Sequence, residues 1–249
     1  MNKLIIFDLD GTLTESKQPL TSEMANQLTR LLAETRVAVV SGGALPQFIS
    51  QVVDKIPADA NLAHLYILPT SGAALYEYHN SDWKKIYEER LTEKEAHAID
   101  AAMRTAAAET DLIDFSKPAY GERIEYRGGQ VTLSALGQHA SLEEKRKWDP
   151  THEKRHLLQA AIAARLPEFS VGIGGITSID VTKRGIDKAY GVHQLCERLH
   201  IPEHEALYVG DELESGGNDE AVYRTDVQTK SVEDPIETFY LIESLLASQ

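Results

Sequence analysis

The chain has 249 residues, 42% apolar and 26% charged, which suits a protein that buries a real core in one large domain or two modest ones. Its 39 acidic residues against 25 lysines and arginines give a formal charge of -14, which disfavours nucleic acid and anionic lipid as partners. The single cysteine, Cys196, excludes an intrachain disulfide, and no apolar run approaches the roughly 20 residues that span a bilayer.

Near the start, "KLIIF" is a short continuous apolar run closed by a turn, the pattern of a strand buried on both faces of a parallel sheet. It is too short for a signal-peptide core, so cytoplasmic residence is expected. Met24, Leu28, Leu31 and Leu32 then recur at helical spacing, followed by the strand "VAVV", the turn "SGG", a helix from Leu45 to Ile56 and the strand "HLYIL". This β-α-β-α-β order predicts a parallel sheet whose ligand chemistry lies at the C-terminal strand edge, with Asp8 and Ser41 side by side.

From about residue 82 the pattern changes. Thr92 and Glu95 form a capping box ahead of a long helix, "ERIEY" and "QVTLSAL" flank "RGG" as a hairpin, and Asp149 with Pro150 opens a further helix. "FSVGI", "GG" and "ITSIDV" make a second hairpin. After Lys188 the parallel pattern resumes with the helix "KAYGVHQLCERL", the strand "ALYVG", the loop "DELESGGNDEAV" and a terminal helix from Pro235. The expectation is an α/β protein: a doubly wound parallel core made of residues 1–81 and 184–249, with an α+β domain inserted at 82–183.

Asp8 and Asp10 end the first strand, Asp211 ends the strand "ALYVG", and Asp219 follows on the same loop. Like charges about 4 Å apart repel by roughly 4 kcal/mol at an effective dielectric of about 20, so such a cluster must hold protons or a cation. Oxygen ligands on compact loops suit Mg2+, which takes one or two carboxylates and completes its shell with water and substrate phosphate. Donors for that phosphate are at hand in the backbone at Gly11 and Gly43, the Ser41 hydroxyl and the helix-start ammonium of Lys188.

In this order, "DLDGT", Ser41, Lys188 and "GDELESGGND" resemble the four motifs of the haloacid dehalogenase superfamily of phosphoryl-transfer enzymes. The succession "DGTLTESKQ", "IEYRGGQVTLSALG", "GGITSIDVTKRGIDKAYG" and "GDELESGGND" is similar to the alpha-phosphomannomutase family nearly end to end. The resemblance implies that Asp8 attacks phosphorus, that Asp10 moves the proton of the sugar oxygen, and that Ser41 and Lys188 steady the transferring group. It implies Mg2+ held by Asp8, the Asp10 carbonyl and Asp211, an inserted cap closing over a phosphorylated sugar, and substrate contacts from Lys17, Gly42, Arg127, Ser178, Asp180 and Asn218. It also suggests a homodimer formed through the cap.

Some positions depart from the family's pattern. A mutase must grip a distal phosphate, which the family does with cap arginines; Arg127 matches one, but Gln138 and Lys145 stand at two others, and Lys17 replaces a usual arginine. Arg123, Arg146 or Lys147 could restore that grip. The family also carries glycine where this chain has Ser41, while hydrolytic relatives carry serine or threonine. These departures favour a sugar-phosphate phosphatase, with mannose-phosphate interconversion as the alternative. "HEKRH", residues 152–156, matches a zinc-binding pattern, but Lys154 and Arg155 adjoin it and no third ligand follows, so a zinc hydrolase is a remote rival. A phospho-accepting receiver module is a second rival, and the inserted cap argues against it.

Overall fold

The computed structural model describes residues 2–247. The chain runs through β1 (Leu4–Asp8), α1 (Ser22–Glu34), β2 (Arg36–Val40), α2 (Leu45–Gln51), β3 (Leu65–Leu68), β4 (Ala74–His79) and β5 (Asp82–Glu88). Then come α3 (Glu93–Thr110), β6 (Ile124–Tyr126), β7 (Gln130–Ser134), α4 (Leu142–Trp148), α5 (Glu153–Ala163), β8 (Phe169–Ile173) and β9 (Ser178–Lys183). The last elements are α6 (Lys188–Leu199), β10 (Ala206–Gly210), β11 (Gln228–Ser231) and α7 (Pro235–Ala247). The chain up to Glu88 and from Asp187 onward forms one compact unit, and Glu89–Ile186 forms another.

The first unit is built on a seven-stranded sheet in the order β11-β10-β1-β2-β3-β4-β5. β11 through β3 are parallel, and the β4–β5 hairpin adds two antiparallel strands at one edge. Both faces are covered, and the strands read accordingly as unbroken apolar runs. Ile5, Phe7, Val37, Val39, Leu207 and Val209 face one core with Leu28, Leu31 and Leu32 of α1. The alternate residues Leu4, Ile6, Ala38, Val40 and Tyr208 face the other core with Val192, Leu195 and Cys196 of α6. Each fully buried Leu, Ile or Phe contributes about 1.5–3 kcal/mol of transfer free energy, so a strand such as β1, buried at all five positions, anchors the sheet.

In the second unit the sheet order is β6-β7-β9-β8, antiparallel throughout. Val131, Leu133, Ile179 and Val181 on one face pack with Ile99, Met103 and Ala106 of α3 and Leu158 and Ile162 of α5. The opposite face carries Gln130, Thr132 and Ser134 paired in register with Thr182, Asp180 and Ser178. The fold is therefore an α/β doubly wound parallel core with an inserted α+β unit.

Three local readings change. Residues 82–88, assigned from sequence to the insertion, form β5 and hydrogen bond to β4 in the first sheet. Asn80 and Ser81, both with positive φ, make the two-residue turn that matches hairpin twist. The helix expected over Leu45–Ile56 stops at Gln51 and continues as a 3-10 turn at Val53–Lys55. Asp149 ends α4 rather than opening a helix, and its carboxylate accepts the Lys154 and Arg155 backbone N–H groups, capping α5 from outside. Arg155 and Asp149 also form a fully buried ion pair at 3.0 Å.

Candidate active site

Register gathers the chemistry at one sheet edge. Asp8 pairs with Val40, Val40 with Leu68, and Phe7 with Val209, so the segments beginning at Asp8, Ser41 and Asp211 leave the sheet together. The turn after β1 is tied by the Gly11 N–H donating to the Thr14 carbonyl at 2.7 Å, with Gly11 at φ 100. A side chain at Gly11 would strain that backbone, and its Cβ would stand 2.7 Å from Cγ of Asp211. Glycine therefore lets the β1 and β10 loops approach, and the Thr12 hydroxyl completes the contact by donating to Asp211 Oδ1 at 2.9 Å.

Lys188 is the first residue of α6, whose N-cap, Asp187, accepts the Tyr190 N–H. Its buried ammonium donates to Asp8 Oδ1 and Asp219 Oδ1, each at 2.6 Å, and to the Asn218 side-chain oxygen. Asp219 is fully buried and also accepts from the Tyr208 hydroxyl and the Glu212 N–H. Asn218 is held in turn by donating to Glu212 Oε2 at 2.9 Å.

Asp8, Asp211 and Asp219 each place a carboxylate oxygen within 4.8 Å of the others, and among the described residues this is the cluster able to hold a metal. Burial pushes the Asp8 carboxyl well above the usual range; Lys188 opposes the shift, and Asp219 and Asp211 add to it. Burial and then Asp219 push Asp211 up to about 6. At Lys188 burial works against the charge, but Asp219 and Asp8 overcome it and raise the ammonium above the usual lysine range. Fully ionised, three carboxylates against one ammonium leave two negative charges over, the charge that one divalent cation balances. Hard oxygen donors in a compact cluster fit Mg2+.

Asp10 lies outside this cluster. Its Oδ1 accepts the Lys17 backbone N–H at 2.5 Å and its Oδ2 accepts from Gln47 Nε2 at 3.2 Å. At the tip of β2, buried Ser41 accepts the Gly43 N–H at 3.2 Å, with Gly42 between them. The Ser41 and Gly43 carbonyls accept the Ser71 and Thr70 N–H groups, both at 2.9 Å. Thr70 and Ser71 hold positive φ, an uncommon backbone for a β-branched residue, and they brace this loop.

The remaining candidates lie in the second unit. Arg127 pairs with Glu125 at 2.6 Å. Ser178 and Asp180 share the polar sheet face, where Asp180 accepts from Thr132 at 2.8 Å and Ser178 stands 3.5 Å from Ser134. Arg123 donates to the carbonyls of Lys117, Pro118 and Ala135, which commits its guanidinium to the local backbone. His152 and His156 of "HEKRH" belong to no metal-competent group among the described residues, so the structure offers nothing to the zinc reading.

Sequence reasoning left Asp219 without a role and overlooked Thr12, Gln47 and Tyr208. For Tyr208 a signal existed: a tyrosine inside an aliphatic buried strand needs a partner for its hydroxyl. Gln47 carried none, because only the fold brings α2 beside the β1 loop.

Solved structures share this fold. An IMP-bound IMP-nucleotidase from Plasmodium falciparum superposes with a TM-score of 0.71 at 15% identity, covering 99% of this chain and 68% of that one. A Streptococcus mutans UA159 protein covers 99% and 100% with a TM-score of 0.65 at 16% identity. Fold and site define an enzyme of the haloacid dehalogenase superfamily, built for phosphoryl transfer.

Within that class, the chain belongs to the eukaryotic phosphomannomutase family, whose model matches residues 24–248. It is 27% identical to a phosphomannomutase of Encephalitozoon cuniculi (strain GB-M1) over 98% of this chain and 93% of that protein. It is 25% identical to a phosphomannomutase of Saccharomyces cerevisiae (strain ATCC 204508 / S288c) over 97% and 93%. These relatives weigh against the phosphatase reading of the sequence and toward its mutase alternative. Among the described residues, no helix is long and apolar enough to cross a membrane.

Proposed function

We propose that this enzyme is a phosphomannomutase, moving a phosphoryl group between the 1- and 6-positions of mannose. The observation that carries the reading is the family match, which runs through the inserted unit as well as the core. In this reading an Asp8 carboxylate oxygen attacks phosphorus, the bond to the sugar oxygen breaks with its electron pair staying on that oxygen, and Asp10 delivers the proton. With the group on Asp8, Asp10 takes the proton from the free hydroxyl of a mannose monophosphate as that oxygen attacks phosphorus and the bond to Asp8 breaks. The bisphosphate so formed turns over, and Asp8 removes its other phosphoryl group in the same way, releasing the isomeric monophosphate. Lys188 and Ser41 donate to the transferring oxygens, while Lys17, Gly42, Asn218, Arg127, Ser178 and Asp180 bind the phosphosugar. Asp8, Asp211, Asp219 and the Asp10 carbonyl would hold Mg2+, which when bound offsets the charge of the phosphoryl group. A phosphorylated sugar in the cytoplasm is the partner this reading implies.

Two observations favour a second reading, a sugar-phosphate phosphatase. Gln138 is neutral where the family grips phosphate, and Arg123 is committed to backbone carbonyls. The test is incubation with mannose 1-phosphate and Mg2+, with and without a hexose bisphosphate, measuring mannose 6-phosphate and free phosphate. Isomer formation that depends on the bisphosphate supports the mutase; release of phosphate alone overturns it in favour of hydrolysis.

A further inference from the structure

We propose that Gln47 is a positioning residue for Asp10, setting the carboxyl that passes the proton to the departing sugar oxygen; this inference rests on the phosphoryl-transfer reading above. Two elements each hold one oxygen of that carboxyl. The Lys17 N–H donates to Oδ1 at 2.5 Å from a residue at φ 58, and Gln47 Nε2 donates to Oδ2 at 3.2 Å from α2. With both oxygens held, the plane of the carboxyl is set and its rotation is restricted.

Packing points the same way. Gly43 lies under the Gln47 side chain: a Cβ on residue 43 would stand 2.5 Å from Oε1 and 2.6 Å from Cδ of Gln47. The glycine thus leaves room for an amide reaching toward Asp10, on the same loop where Ser41 accepts the Gly43 N–H. An amide also suits a partner that alternates between holding and releasing a proton. Turned one way it donates to a carboxylate, and turned the other it accepts from a carboxylic acid. A lysine there would favour only the ionised form.

The step at stake is a balanced transfer: the Asp8–phosphorus bond forms, the phosphorus–oxygen bond to the leaving group breaks, and that oxygen takes the Asp10 proton. A sugar oxygen needs that proton, whereas p-nitrophenolate departs without it. The experiment is rapid-quench phosphoryl transfer to the enzyme with Mg2+, from mannose 1,6-bisphosphate and from p-nitrophenyl phosphate. Wild type, Gln47→Leu and the isosteric Gln47→Glu are compared, with circular dichroism as the check of fold. General acid assistance is worth about 100-fold or more, so loss of its alignment is expected to lower kcat/KM for the bisphosphate by roughly 10–100-fold. The decline for p-nitrophenyl phosphate should be at least about tenfold smaller. Equal declines for both donors, or none, overturn the role of Gln47 while leaving the function intact. Absence of any transfer by wild type that Asp8→Asn removes overturns the phosphoryl-transfer reading and this inference with it.

Discussion

Replacing Lys188 by methionine tests the charge balance on which the site depends. The ammonium is buried and lies 2.6 Å from both Asp8 and Asp219, so its removal leaves three carboxylates within 4.8 Å of one another and no cation. Breaking a buried pair by deleting one partner costs about 3–5 kcal/mol. A unit of roughly 150–250 residues loses about 2–4 °C of Tm per kcal/mol, so the metal-free variant should melt roughly 6–20 °C below wild type near neutral pH. Melting followed by circular dichroism in EDTA and then in Mg2+ reads this directly, and Mg2+ should restore more stability to the variant than it adds to wild type. The deficit should shrink as pH falls, because carboxyls with raised affinity for protons regain neutrality by binding them. Asp219→Asn removes one of the stranded charges, so the double variant should be less destabilised than the sum of the single ones, by about 0.5–3 kcal/mol. A Lys188→Met protein that melts within about 2 °C of wild type, or strict additivity with Asp219→Asn, would refute the reasoning.

Asp8→Asn should abolish phosphoryl transfer and any acid-stable labelling of the protein, and Asp10→Asn should slow transfer by about 100-fold or more; near-native rates from Asp8→Asn would end this mechanism. Asp211 sits up at about 6, so a proton competes with a metal below that pH: Mg2+ affinity, read by calorimetry, should weaken about tenfold from pH 7 to pH 5, and a flat profile would count against Asp211 as a ligand. Gly11→Ala forces a positive φ and drives a methyl into the Asp211 carboxylate; it should cost about 1–3 kcal/mol of stability and weaken Mg2+ binding, and unchanged binding would contradict the crowding described. Burial pushes the Cys196 thiol up to about 12, so the native protein should ignore a thiol reagent at pH 8 and react only on unfolding.

Much of this protein was legible in its amino-acid order. β1, β2, β3 and β10 read as buried parallel strands because both faces are covered and their side chains are almost all apolar. Thr92 and Glu95 announced the start of α3, since a capping box is satisfied within four residues. Asp8, Asp211 and Lys188 could be singled out because each ends or directly follows a strand or opens a helix, where chemistry collects in such sheets. Local order could not say which sheet a strand joins: β5 begins where the sequence pattern changes to that of the insertion, and only its backbone pairing with β4, itself paired with β3, puts it in the core. Nor could it find partners far apart in the chain. Asp219 on Lys188 and Gln47 on Asp10 depend on where separate loops come to rest, and a contact across 31 or 37 residues leaves no periodic trace. Pattern and propensity are local properties, so the sequence by itself determined the elements and the residue types at their tips; the tertiary structure alone decided which carboxylates meet, and which donors hold them.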